Sequence, residues 1–298
     1  MPAGTKAIQR RIKSVTNTKK ITKAMEMVSA AKMRRATDSV LATRPYSNLA
    51  WQIISKINKS DTENIHPLLT ERDDKNNREM VILVTSDKGL CGSFNSQMFR
   101  EVKKFINTDK KLDFIVLGKK GENFIYREKL TVSASFNNLT NNPKFNDVKP
   151  IAKMAMDKFV DGTYNKVHLA YTDYVSILKQ NATVRQLLPI VRDENLGSVN
   201  KVEEGKEKSI EEISEYVFEP DKKELLEMLL PKIVETQIYQ AVLESVASEH
   251  SSRMVAMKNA TDAANDMVRD LTLTFNKIRQ AGITREISEI SAGKAALE

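Results

Sequence analysis

Apolar positions follow two grammars along this chain. Over residues 4–58, Ile8, Ile12, Val15, Thr22, Met25, Ser29, Met33, Ala36 and Val40 recur at spacings that largely alternate four and three. Lys and Arg fill the other faces. That is the period of a supercoiled helical seam, and it predicts one long helix interrupted only by Pro45. A second seam runs Leu243, Ala247, His250, Met254, Met257, Thr261, Ala264, Val268, Leu271, Phe275 and Ile278, spaced four and three without a stutter. Its helix is expected to start after Glu219-Pro220-Asp221, with Pro231 in its early part kinking it or delaying its true start, and to run cleanly from Lys232 to Ile290. A helix of that length would run on the order of 90 Å at ~1.5 Å per residue, longer than a compact domain of this size. It must project, and its natural partner is the other seam-bearing helix. Ser29, Thr261 and Ala264 bury little against the ~1.5–3 kcal/mol of a full Leu or Phe. The expected pair is therefore thin, and suited to a narrow opening.

Between the helices the period changes. Met80–Thr85 and Leu112–Gly118 are continuous apolar runs, Thr131–Ser135 is a short strand candidate, and Lys166–Tyr174 and Ala182–Ile190 complete the set. Helical patterns fall near Ser96–Ile106, Lys119–Glu128 and Val148–Val160. Strands alternating with helices imply βαβ units and a mostly parallel sheet. The last two strands are adjacent and predict an antiparallel hairpin. Residues 61–79 read as a polar loop. Residues 193–215 are rich in charge and nearly free of large apolar side chains, which reads as a linker.

Charge sharpens this plan. The formal net charge is +8. Residues 1–60 hold 13 Lys or Arg and only two acids, Glu26 and Asp38, so the whole basic excess lies in the first fifth of the chain. Such an end invites nucleic acid, an anionic membrane or an acidic protein partner. The segment lacks the interleaved aromatics and motifs of a nucleic-acid binder. No apolar run approaches the ~20 residues of a membrane span. The start lacks the apolar core of a secretory signal, and its basic pattern continues into Met33, so it reads as mature protein. One cysteine, Cys91, excludes internal disulfides and CxxC zinc sites.

Candidate chemistry is sparse. The turn Ser86-Asp87-Lys88-Gly89-Leu90-Cys91-Gly92-Ser93-Phe94-Asn95 sits between a strand and a helix, where phosphate-cradling loops occur. It has neither the GxGxxG spacing nor the GK[ST] ending. Its glycines are expected to allow tight strand–helix packing, with Cys91 as a small packed side chain. His66, His168 and His250 are scattered and form no metal constellation; His250, on the seam, reads as a packed core histidine.

Four stretches carry a family likeness: IKSVTNTKKITKAMEMVSAAKMRRA (12–36), SDKGLCGSFN (86–95), YVFEPD (216–221) and SEHSSRMVAMKNATDAANDMVRDLTLTFNKIRQAGITREISEI (248–290). The chain resembles the gamma subunit of F-type ATP synthases. The resemblance implies an α/β fold in which the N- and C-terminal long helices form an antiparallel coiled coil with an inserted Rossmann-like domain. The expected divisions are a helix over 1–60, the Rossmann-like domain over 76–192, the charged linker over 193–215 and the second helix over 216–298. The implied role is that of a non-catalytic, proton-driven rotor shaft without cofactors. The implied partners are a hexamer of alpha and beta subunits, the epsilon subunit and the membrane c-ring. Its place would be peripheral, on the cytoplasmic face of a bacterial plasma membrane or the matrix side of a mitochondrial one.

The resemblance also implies site residues. Lys23, Met25, Arg253, Arg279, Gln280, Thr284 and Glu286 match positions that meet beta-subunit loops, and Tyr216 and Glu219 match the foot against epsilon or the ring. Each has a plainer alternative. Lys23 and Arg253 also fit solvated helix faces, Arg279-Gln280 a helix end before Gly282, and Tyr216 and Glu219 a strand–turn. Chloroplast relatives carry a cysteine pair in an inserted segment, and 193–215 has none. Two rival classes remain: a basic coiled-coil nucleic-acid binder and a Rossmann-like enzyme with helical arms.

Overall fold

A computed structural model describes residues 3–57, 66–70, 77–106, 110–141, 143–190 and 222–295. Helix α1 spans Ala3–Ile57 and contains Pro45. Then follow β1 (Arg78–Val84), α2 (Phe94–Ile106), β2 (Lys111–Leu117), α3 (Lys119–Arg127), β3 (Thr131–Phe136), a 3-10 turn at Leu139–Asn141, α4 (Phe145–Val160), β4 (Lys166–Tyr174), β5 (Gln180–Leu188) and α5 (Lys222–Ala295). The fold is α/β, with a parallel-dominated sheet inserted in sequence between two long terminal helices. Two compact units divide the chain. Met1–Ala31 with Arg253–Glu298 forms one, and Lys32–Ser252 forms the other.

In the larger unit the sheet order is β3-β2-β1-β4-β5. The first four strands are parallel and β5 returns antiparallel to β4. β1 and β2 are continuous apolar runs because helices cover both faces of the sheet. Alternate residues divide between two cores. Met80, Ile82 and Val84 pack with Ile151 and Phe159 of α4 and Val234, Ile238 and Val242 of α5. Val81 and Leu83 pack with Met98 and Val102 of α2 and Phe124 and Ile125 of α3. Phe99 stacks on Phe124 with ring centroids 4.2 Å apart.

Helix α5 joins this sheet through serines. Pairing of β4 with β1 ends at Ala170, which leaves the backbone of Thr172 beyond the reach of β1. Thr172 N donates to Ser245 Oγ at 3.0 Å, and Ser248 Oγ donates back to Thr172 O at 3.3 Å. Ser251 Oγ reaches Ile177 O, and Ser252 Oγ reaches Gln180 Oε1, in and beside the hairpin turn. Helix α1 meets α5 in this unit through Thr43 Oγ1 and Gln240 Oε1.

In the smaller unit α1 and α5 run as a pair, bonded by Thr261 Oγ1 to Thr22 Oγ1 at 2.8 Å. Positions of reduced exposure on α1 include Thr5, Ile8, Ile12, Val15, Lys19, Thr22, Glu26 and Ser29, an unbroken three–four alternation. The small seam residues are buried along with Met257. Ser29 is 3%, Thr261 6% and Ala264 8% exposed, whereas Phe275 and Ile278 are half-buried.

Helix α5 starts at Lys222, directly after Glu219-Pro220-Asp221 as expected, and Pro231 inside it does not delay that start. It runs past Gly282 to Ala295, so the plainer alternative of a helix end before Gly282 does not hold. The segment 66–70 is no mere polar loop. Leu68 is buried in the larger core and its carbonyl accepts from Ile190 N at 3.0 Å.

Candidate functional site

The sheet's C-terminal edge is the place to test for a ligand crevice. A phosphate site there needs free N–H groups at the following helix N-termini. At α3 those groups are committed inward. Lys119 N donates to Asp87 Oδ1 at 3.2 Å, Lys120 N to Ser86 O at 3.1 Å and Gly121 N to Thr85 Oγ1 at 2.9 Å. Asp87 also accepts from Asn138 N and Thr140 Oγ1, each at 3.1 Å. One carboxylate thus pins the loops after β1, β2 and β3 together. At α2, Phe94 N is taken by Cys91 O. The edge is built to hold its own loops closed, not to cradle a phosphate.

Gly89 of the β1–α2 turn does not serve the close packing expected of it. A methyl group on Gly89 would meet only the far end of Lys120, at 3.9 Å. Gly92 instead supplies a left-handed φ of 57°. Close approach occurs after β2, where a Cβ on Gly118 would lie 2.3 Å from Thr85 O and one on Gly121 2.6 Å from Thr85 Oγ1. Cys91 is a small packed side chain as expected, 3.3 Å from Asn95 Nδ2.

At the opposite edge of the sheet lies a buried polar network that the sequence did not disclose. His168 Nε2 is 2.8 Å from Glu79 Oε2, and Lys110 Nζ is 2.6 Å from Glu79 Oε1. Beside it Asp113 accepts from Arg78 at 2.6 Å and from Tyr164 Oη at 2.9 Å. Burial pushes the Glu79 carboxyl up, but the hydrogen bonds and charges of His168 and Lys110 outweigh it and hold the group at about 2. Parallel register brings Glu79 and His168 together across β1 and β4, and no local spacing could have revealed that. The network ties β1 to β4 and to β2.

The helical surface of the smaller unit is the remaining candidate. Residues 3–31 carry seven Lys or Arg and one acid, and Arg10, Arg11, Lys13, Lys20 and Lys23 are exposed. Lys23 pairs with Glu26 at 3.0 Å along the helix. Met25 is half-buried, while its neighbours Ile21, Met27 and Val28 are open. On α5, Arg279, Gln280, Thr284 and Glu286 are all exposed. Arg253 is not the solvated arginine that a helix face offers, since it is buried at 7% exposure. One stripe on α5 lies outside the expected seam. Ile283, Ile287 and Ile290 are spaced four and three and exposed, Ile290 by 72%. Its sequence signal is a second apolar row off the register of the first. Open apolar rows among charged residues mark surface meant to be covered.

A family model described as ATP synthase matches residues 4–297. The ATP synthase gamma chain of Legionella pneumophila strain Corby is 38% identical over 299 residues, 99% of this chain and 100% of that protein. The one from Herpetosiphon aurantiacus is 42% identical over 306 residues, 99% of each. The chain belongs to the ATP synthase gamma chain family. A chain in the central stalk and c-ring structure of the Tetrahymena thermophila mitochondrial ATP synthase matches at 25% identity and TM-score 0.58, covering 80% of this chain and 99% of that one. One in the Euglena gracilis mitochondrial OSCP/F1/c-ring structure, rotational state 3, matches in fold at TM-score 0.66 and 18% identity, covering 99% and 94%. Of the stretches that carried the gamma-subunit likeness, 12–36 lies on α1, 86–95 on the β1–α2 turn and 248–290 on α5. Stretch 216–221, with Tyr216 and Glu219, lies outside the described residues.

Proposed function

We propose that this chain is the central-stalk subunit of an F-type ATP synthase, a rotor part that transmits torque and performs no chemistry itself. The observation that carries this reading is the full-length match to gamma chains, which spans both long helices and the inserted sheet. In this reading the paired helices of the smaller unit enter a hexamer of alpha and beta subunits. The basic face of α1, with Lys23 beside Met25, works against acidic loops of the beta subunits. Exposed ion pairs are worth only ~0–1 kcal/mol each. A field of weak contacts centres a turning shaft without arresting it. Arg279, Gln280, Thr284 and Glu286 supply directional hydrogen bonds to beta-subunit loops, and Ile283, Ile287 and Ile290 turn against apolar lining. Arg253, being buried, acts from inside the helical pair. Tyr216 and Glu219 are assigned to the foot, facing epsilon and the c-ring.

No described helix is long and apolar enough to cross a membrane, and the subunit is placed at the membrane through its partners, on the cytoplasmic face in a bacterium. Ion flow through the ring, by protons in this reading, turns the shaft, and its asymmetry drives the beta sites through their binding changes. The test is capture of the tagged chain from solubilised membranes, with partners identified by mass. The expected set is two P-loop subunits, epsilon and the ring protein. Capture of the chain alone, or with nucleic acid that salt removes, overturns the proposal.

A further inference from the structure

In the larger unit, residues 32–39 of α1, the turn after β3 and residues 243–250 of α5 line a half-open recess of about 280 Å³. Its polar lining is Lys32, Arg35, Ser39, Asn141 and His250, and the rest is apolar. Among the described residues no carboxylate lines it. Lys32 and Arg35 lie three apart on one helix, where like charges repel. Neither takes part in any of the ion pairs formed among the described residues. Lys32 Nζ instead donates to Asn141 Oδ1, which fixes it over the cavity. His250 reaches the same space from α5 and is buried.

We propose that this cavity is a binding site for a small phosphate-class oxyanion. Two cations facing one recess without a counter-charge create a positive potential that a dianion relieves. Arg35 offers a planar fork matched to two phosphate oxygens, and Lys32 a point charge. Ser39 and Asn141 add neutral hydrogen-bonding groups. Charge, not size, selects the ligand. At ~30 Å³ per water the recess holds roughly nine waters, room for a phosphate that keeps part of its hydration. The bound ion bridges α1, the turn after β3 and α5, three segments far apart in sequence.

The test is equilibrium dialysis of the full-length chain against labelled inorganic phosphate, beside a map of the assembled complex prepared with and without phosphate. The expected result is one saturable site. Arg35→Ala and Lys32→Ala each weaken it roughly tenfold, while Lys149→Ala, outside the cavity, does not. The map shows an isolated density between Lys32 and Arg35 that phosphate-free buffer removes. Binding that fails to saturate, or that survives both substitutions, overturns the proposal. So does density in the recess continuous with another polypeptide. Should Arg35→Ala fail to fold, Arg35→Lys keeps the charge and loses the fork. Its expected loss is smaller but measurable, and unaltered affinity counts against the site.

Discussion

Two residues show how much of the larger unit rests on single atoms. Gly118 has φ of 97°, and a methyl group added there would meet Thr85 O at 2.3 Å. Gly118→Ala therefore faces both backbone strain and a clash with main chain that cannot yield. The expected cost is about 3 kcal/mol or more, read as a lowered denaturant midpoint of the full chain. Gly89→Ala, with ordinary room, is the control and should shift it by less than about 1 kcal/mol. Glu79 offers a pH signature. Its carboxyl titrates at about 2 in the folded chain and near 4.5 unfolded. Over that interval the unfolded state binds the extra proton. The contribution is therefore complete above about 4.5 and lost as pH falls towards about 2. Glu79→Gln should lower stability at neutral pH by roughly 1–3 kcal/mol and flatten this acid limb. Urea titrations at several pH values measure both, and an unchanged acid limb would show that the pairing with His168 and Lys110 contributes nothing.

At the scale of elements, the sequence disclosed what repeats and hid what is shared between distant segments. Heptad spacing located both long helices, and apolar runs bounded by turn residues located β1 and β2, because period and burial act within a few neighbouring residues. Pro231 is the tenth residue of α5 and removes one helical hydrogen bond, a cost offset where Leu226, Leu230 and Val234 pack into the core around it. The Glu79–His168 pair and the Asp87 clamp were invisible because register and crossover, not spacing, bring their partners together. Arg279, Gln280, Thr284 and Glu286 were assigned through family likeness alone, and all four are exposed on α5. The burial of Arg253 followed from packing that no periodicity shows. The serine row of α5 is the element-level counterpart, since it completes β4 where β1 ends. Ser245→Ala leaves Thr172 N–H buried without its acceptor, at an expected cost of ~1–3 kcal/mol. The effect should be local. Hydrogen exchange of Thr172 and its hairpin should accelerate well beyond that of β2, and uniform acceleration would place Ser245 in global rather than local stability.

For the whole molecule, the question is whether the basic face of α1 guides assembly or merely keeps the helix soluble. Arg10, Arg11, Lys13 and Lys20 are exposed and none forms an ion pair among the described residues. Each alone contributes little, for the reason that any exposed pair does. Together they set a field that acts before contact, and such a field changes association rate more than final affinity. Replacing all four by Glu should slow assembly with the partner subunits by tenfold or more at low salt, while helix content stays constant. The deficit should shrink as salt rises, since the Debye length falls from ~30 Å at 0.01 M to ~3 Å at 1 M. Stopped-flow mixing of labelled full-length chain with the partner subunits, at several salt concentrations, gives the rates. A solubility role predicts equal rates for both proteins at every salt concentration. A contact role without steering predicts equal association with faster dissociation. Only a guiding field gives a rate gap that closes with salt, because only long-range attraction is screened before the surfaces touch.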